Sequence, residues 1–405
     1  MVVNLFKLEK HLTIAAMETV KTENTSLLTP AKTAAEKINY INHLKVLMTV
    51  LVVLHHSFIT YGAPGSWYFQ QKTHLLGALF PMTIFVATNQ SFFMGFFFFL
   101  SALFIAPSYQ KKGTAKFLAD RLKRLGIPLA FYSLVLSPIL NYMVEHYGYG
   151  QHHSFIEYMS GYHHWIDFGV MWFVAALLIF NLIYLIYKNI PAINFSLKFN
   201  FPSNKQIQIG GLALGLFSFL TRLIWPTGWV LSPLGFQLGY FPQYIALFVL
   251  GIVASNNNWL DQLNLKQGKF MRKSALLMVT VILPVIFILF LILKFPGNYF
   301  NGGWNPVALS YSLWEQVTGV IIMAAMLCIA KFKWNNSTPF MNGLSANAFA
   351  VYIFHPLVLI TLSLLVKSWD VNPVIKLIFV APAAVAGSFL FAGLLRKLPF
   401  VRAII

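Results

Sequence analysis

Charge and cysteine are what this chain of 405 residues has least of. Charged residues make up 10% of it, against about 25% in an ordinary soluble domain. That shortage excludes a soluble globular enzyme with a solvated surface. The single cysteine, Cys328, lies inside an apolar run. It excludes an intrachain disulfide, and its apolar setting does not favour a thiolate nucleophile. Acidic residues number 11 against 29 basic ones, leaving a formal charge of +18. The excess is spread over short loops between apolar runs. Nucleic-acid binding, which needs basic residues clustered on one soluble module, is therefore not expected. Neither HxxxH nor HExxH spacing occurs, so no metal site is expected. The two halves show no convincing self-similarity of the kind seen in many transporters.

Apolar sequence is what the chain has in abundance. Hydrophobic residues are 58% of it, with 39 Phe, and the mean hydropathy is +0.68. The fold class expected is all-α, a polytopic transmembrane bundle. Runs of spanning length fall at about 41–62, 91–109, 125–144, 168–187, 207–225, 236–255, 273–294, 307–330, 345–366 and 373–395. An additional run at 75–88 is short and contains Pro81, and reads as a re-entrant or interfacial segment. With ten spans, the basic segments 110–124, 188–206, 256–272, 331–344 and both termini fall on one side, and the outer loops hold only Lys72 and Lys367. Basic residues mark the cytoplasmic side, which puts both termini there, in the inner (plasma) membrane. Residues 1–39 are polar and lack a signal-peptide core. They are expected to be a largely disordered cytoplasmic segment, with Met17 an alternative start. Residues 40–400 form the membrane domain.

One stretch organises the rest: NHLKVLMTVLVVLHHSFITYG, 42–62. It is long enough to cross a bilayer, yet carries His55 and His56 at membrane depth. Ionisable groups there are costly and mark functional sites by default. Lys45 and His56 are eleven positions apart, which is about three turns with an offset of roughly 20° and a rise of about 16 Å. They share a helix face; His55 points away from it. A packing histidine bonded to a backbone carbonyl is the alternative, and it fits His55 better than His56.

A second signal is FLADRLKRLGIPL. Arg121 and Arg124, spaced i, i+3, share a helix face and can fork around phosphate or carboxylate. Lys123, with Lys111, Lys112 and Lys116, adds positive field. A juxtamembrane cluster touching anionic lipid is the alternative. The loop EHYGYGQHHSFIEYMSGYHHWID, 145–167, holds five His and several aromatics, a composition that suits a sugar-like acceptor or the membrane interface. Arg222 and Glu315 could pair across the bundle. His355 precedes Pro356, which frees a backbone carbonyl one turn earlier. Trp172 reads as packing.

Together these stretches resemble the acyltransferase-three family of bacterial integral-membrane O-acyltransferases that modify surface or periplasmic carbohydrates. The carrying residues are LKVLMTVLVVLHHS with Lys45 and His56, FFFFLSALFI followed by Arg121-Leu-Lys-Arg124, MWFVAALLIF at 171–180, FPQYIALFVLGIVAS at 241–255 and VYIFHPLVL at 351–359. Lys45 stands where the family usually has Arg, and Ala102 where it usually has Gly. The resemblance implies an acyl-CoA donor entering from the cytoplasm, gripped by Arg121, Arg124, Lys45 and Lys123, and a carbohydrate acceptor. It implies His56 as general base or as a transiently acylated nucleophile. Ser101, Asn89 and Gln90 are candidates for stabilising the oxyanion, and Glu145 for orienting His56 or binding acceptor hydroxyls. A transporter or flippase of an anionic or acylated saccharide is the alternative function.

Overall fold

The computed structural model describes residues 38–190 and 198–404. The expected N-terminal segment, Met17 included, lies outside the described residues apart from its last two positions. The described chain is built from helices with no strand. In order these are α1 (Asn39–Tyr61), α2 (Leu76–Gln90), α3 (Phe93–Ala102), α4 (Ile105–Gly148), α5 (Phe155–Ser160), α6 (Trp172–Asn189), α7 (Asn204–Arg222), α8 (Phe241–Asn256), α9 (Leu265–Ile292), α10 (Pro306–Lys333), α11 (Pro339–Leu365) and α12 (Pro373–Leu395). Among the described residues, nine helical stretches are long and apolar enough to cross a membrane, α2 and α3 counting as one. The helix α7, 19 residues long, which the sequence counted as a span, is not among the nine.

The 75–88 run does not stand apart as a short re-entrant piece. It forms α2, and α3 continues its path after a break at Ser91 and Phe92, giving one apolar stretch Leu76–Ala102. Length explains this. Ten residues of α3 rise about 15 Å, half of the roughly 30 Å hydrocarbon layer, so α3 needs α2 to complete a crossing. The chain then turns at Leu103 and Phe104, and a kink at Gly113, φ 70°, ends the first part of α4.

Proline shapes the long helices. Wide π-type turns at Leu122–Gly126, Tyr132–Leu136 and Met278–Ile282 each end two residues before a proline: Pro128, Pro138 and Pro284. Proline has no N–H to give to the carbonyl four residues back, and its ring crowds that carbonyl. One extra residue in the turn relieves both.

Packing sorts small and polar residues inward and large apolar ones outward, as expected with hydrocarbon as solvent. Helix α7 puts Gly211, Gly215, Ser218 and Arg222 on its buried side and leaves Leu212, Leu216, Phe217 and Leu220 exposed. It lies along α10. A Cβ on Gly211 or Gly215 would sit 2.9 or 2.8 Å from the Cα of Val317 or Leu313. The glycines therefore set the separation of the two helices. At the end of α7 the Arg222 guanidinium meets Glu315 of α10 at 2.5 Å, as the sequence suggested. Arg222 also donates to Ser312 Oγ and the Gly239 carbonyl. Helices α11 and α12 pack on each other and both on α1, and α3 packs on α8. The second half of α9 is mostly exposed and forms the rim.

Outside the bundle, α5 begins with a capping box. Ser154 and Glu157 exchange side-chain and backbone hydrogen bonds. The N–H of Ser154 on the Glu157 carboxylate holds that carboxyl below its usual range.

Three outcomes follow. Gly215→Ala will lower stability by about 1–3 kcal/mol, because the added methyl meets backbone that cannot yield. Gly210→Ala, one residue from Gly211 and facing open space, will be neutral or stabilising by up to about 1 kcal/mol. Thermal unfolding in one detergent checks both. Glu315→Leu will cost about 3–5 kcal/mol by stranding the Arg222 charge, and Arg222→Leu added to it will recover much of the loss.

Candidate active site

Helix α1 ends in a loop that folds back over it. The last carbonyls of a helix lack intrahelical partners, and here the loop supplies them. Ala63 N–H donates to the Phe58 carbonyl, Gln71 N–H to Thr60 and Thr73 N–H to Tyr61, while Gln70 Nε2 reaches the Ile59 carbonyl. Gly62 and Gly65 take φ of 142° and 138°, which lets the loop reverse. The reversal lays Trp67 over the imidazole of His56, centroids 3.9 Å apart and planes 21° from parallel.

His355 of α11 lies beside the same group, its ring centroid 5.4 Å from His56 and 6.0 Å from Trp67. Its position traces to Pro356, which cannot bond the Tyr352 carbonyl. His355 Nδ1–H donates to that oxygen instead, at 2.9 Å. This assigns the tautomer and leaves Nε2 as the free lone pair. His355 Nε2 and His56 Nδ1 are buried without protein partners. His55 packs on Phe93 at 4.9 Å, and its Nδ1 is also buried without a protein partner among the described residues, so it lacks the backbone hydrogen bond expected of a packing histidine.

Both α1 histidines line a cavity of about 1140 Å³. Trp67, Tyr68, Gln90, Asp167, Trp172 and Tyr240 share its wall. Trp172, read as packing, therefore faces the cavity as well. Asp167 is the carboxylate of this chamber. Ser137 Oγ and Asn141 Nδ2 of α4 donate to its Oδ2, and Gly169 N–H donates to Oδ1 at 3.0 Å. Its own N–H goes to Ser133 Oγ. Ser133, Ser137 and Asn141 form an i, i+4, i+8 stripe on α4 that fixes the residue. Tyr68 and Tyr132 share a hydroxyl bond of 2.8 Å beside it.

The structure separates other residues that the sequence singled out. Glu145 does not line the cavity; it lies 3.7 Å from His153 in the outer loop. Ser101 is half-buried on α3 and also outside the cavity. Asn89 spends its amide N–H on the Leu51 carbonyl, whereas Gln90 lines the chamber. Sequence reasoning passed over Trp67, which stands in a loop, and Asp167, which closes the WID stretch. The serines at i and i+4 on the next-door span were the available signal for Asp167.

At the other end of α1, Lys45 Nζ lies over the Phe104 ring at 4.6 Å and close enough to Arg121 to feel its charge. Arg121 stacks on Phe117 at 4.8 Å, and its Nε is buried without a partner. Neither cation has a carboxylate within ion-pairing distance among the described residues. Arg124 differs: it is 65% exposed and 3.3 Å from Asp120, which also holds Lys112 at 2.8 Å. Lys123 is exposed. Asp120 thus contacts Arg124 directly, whereas Arg121 makes no ion pair among the described residues and feels the charges of Asp120 and Arg124.

The family model described as acyltransferase domain matches residues 38–393. The chain belongs to acyltransferase family 3. No curated protein and no solved structure matches it. The match spans both the chamber and the cationic end of this membrane acyltransferase, so both fall within the domain that defines the family.

Proposed function

We propose that this acyltransferase moves a short acyl group, acetyl or succinyl, from acyl-CoA to a hydroxyl of an extracytoplasmic carbohydrate, in the inner (plasma) membrane with both termini in the cytoplasm. The observation that carries the reading is the cation pair at one end of α1, Lys45 of α1 with Arg121 of α4 and no carboxylate in ion-pairing contact among the described residues, set against the unpartnered imidazole of His56, which shares the face of α1 with Lys45 about 16 Å further along. Like charges held together without a carboxylate call for an anion, and the phosphates of CoA supply one. The acyl thioester then lies along α1 with its carbonyl toward His56. Charge asymmetry of the loops supports cytoplasmic entry of the donor. The aromatic and amide lining of the chamber supports a sugar acceptor, whose rings stack and whose hydroxyls hydrogen-bond.

In this mechanism the acceptor oxygen attacks the thioester carbonyl as His56 takes its proton. The tetrahedral oxyanion accepts a hydrogen bond, for which the Gln90 amide on the chamber wall is a candidate. The C–S bond then breaks. The thiolate leaves and takes the proton back from the imidazolium, giving ester and free CoA. Trp67 stacks on the His56 ring and His355 lies beside both, and Asp167 accepts hydrogen bonds from acceptor hydroxyls.

Transfer of label from acetyl-CoA and succinyl-CoA into envelope glycans tests the reading. His56→Gln will lower kcat by at least about 10²–10⁴, the usual worth of a positioned acid–base group. Arg121→Ala will raise the donor KM by about tenfold or more. Arg124→Ala, already neutralised by Asp120 and exposed, will raise it far less. Unchanged incorporation by a well-expressed His56→Gln protein would point to transport without chemistry.

A further inference from the structure

The chamber around His56 does not close on itself. Leu76, Leu79 and Phe80 of α2 and Phe287, Phe290 and Leu291 of α9 line one side of the same cavity. Leu76 and Leu291 are also 79% and 65% exposed on the outside of the bundle. The cavity thus runs from an imidazole to side chains exposed on the outside of the bundle, with the loop residues Ser66, Thr227 and Asn301 also on its wall. Deeper in the bundle the gap between α2 and α9 is shut, where Ala87, Leu283 and Trp314 form a buried cluster with Ile84 and Phe287 packed on it. Nearer the loops the two helices are bridged by the rings of Phe80 and Phe287, 6.3 Å apart. From Phe287 an aromatic path continues through Phe300 to Tyr311, each step 5.4 Å, into the chamber.

The two ends of this space differ in chemistry. The inner end presents His56, Asp167, Gln90 and tyrosines; the side opening is aliphatic and aromatic throughout. No lysine or arginine lines any part of it. A phosphate or other anionic group would therefore find no partner there, and Asp167 would repel it. The opening lies toward the ends of α2 and α9 that meet the loops 62–75 and 293–305, so the leaflet it faces is the one on the chamber's side.

We propose that this side opening admits the hydrocarbon chain of a membrane-anchored acceptor, an amphiphile whose uncharged, hydroxyl-bearing head reaches His56 while its chain stays between α2 and α9. The inference rests on the reading of the chamber as the acceptor's site, and it narrows the acceptor to a neutral glycolipid-like molecule taken from the bilayer. Hydrocarbon has no reason to leave the membrane for a polar site, so a route that keeps the chain in lipid removes the largest cost of bringing such a substrate to the histidine.

The test uses the full chain in phosphatidylcholine nanodiscs with dodecyl glucoside carrying a diazirine at the end of its chain. Photolabelling is expected in residues 76–83 and 287–291, and excess dodecyl glucoside should compete at least about tenfold better than glucose, because only the former buries a chain. Label spread evenly over lipid-facing helices such as α12, or competition by glucose and dodecyl glucoside alike, would overturn the proposal and mark ordinary annular lipid. Acyl transfer separates the two readings. Transfer to glucose and dodecyl glucoside with equal KM would overturn the side route and leave the acyltransferase reading standing. Competed labelling at these residues without transfer to either compound would uphold the route and count against the chemistry.

Discussion

Hydrocarbon offers no hydrogen bond, so every polar side chain on these helices must find its partner inside the bundle or in the cavity the bundle encloses. That constraint arranges the structure. Ser133, Ser137 and Asn141 are gathered on one side of α4 because Asp167 needs them. His355 turns to the Tyr352 carbonyl because Pro356 has left that oxygen free. The loop after α1 folds back because four terminal carbonyls need donors, and in doing so it delivers Trp67 to His56.

Against this background the groups left without partners are informative. The two buried charge arrangements have opposite character. Arg222 spends its guanidinium on Glu315, Ser312 and the Gly239 carbonyl, which joins α7 to α10. A buried pair of this kind contributes little net stability, yet losing one member is costly. Lys45 and Arg121 have no such closure. Two cations near one another, shielded by Phe104 and Phe117 and with no carboxylate in direct contact among the described residues, form an arrangement that gains free energy when an anion arrives. His56 stands in the same relation to the chamber: Trp67 stacks on its ring while its Nδ1 finds no protein partner. Fixed geometry with unspent bonding capacity is what a site for chemistry requires.

Much of this was legible in the sequence. The apolar runs mapped onto helices one by one because spanning length is a strong constraint on one-dimensional pattern. The face shared by Lys45 and His56 followed from helical geometry alone, and the Arg222–Glu315 pair from the cost of charge in an apolar helix. What escaped was set by tertiary contact. Pro81 and shortness made 75–88 look like an interfacial piece, yet it completes the crossing begun by α3. Glu145 was picked out by its place at a helix end, while the carboxylate that reaches the chamber, Asp167, is brought there by a stripe on a neighbouring helix. Arg121 and Arg124 share a face by spacing, but Asp120 takes one of them away. Trp67 lies in a loop, where no periodicity marks a residue as part of a site.

The central claim is that the cationic end of α1 and the chamber at His56 belong to one donor path. An experimental structure with acetyl-CoA bound tests it most directly. The account predicts density for the CoA phosphates against Lys45 and Arg121, with the arm following α1 and the sulfur within reach of the His56 imidazole. Phosphates bound elsewhere, or an arm leaving Arg121 in a direction away from His56, would contradict it.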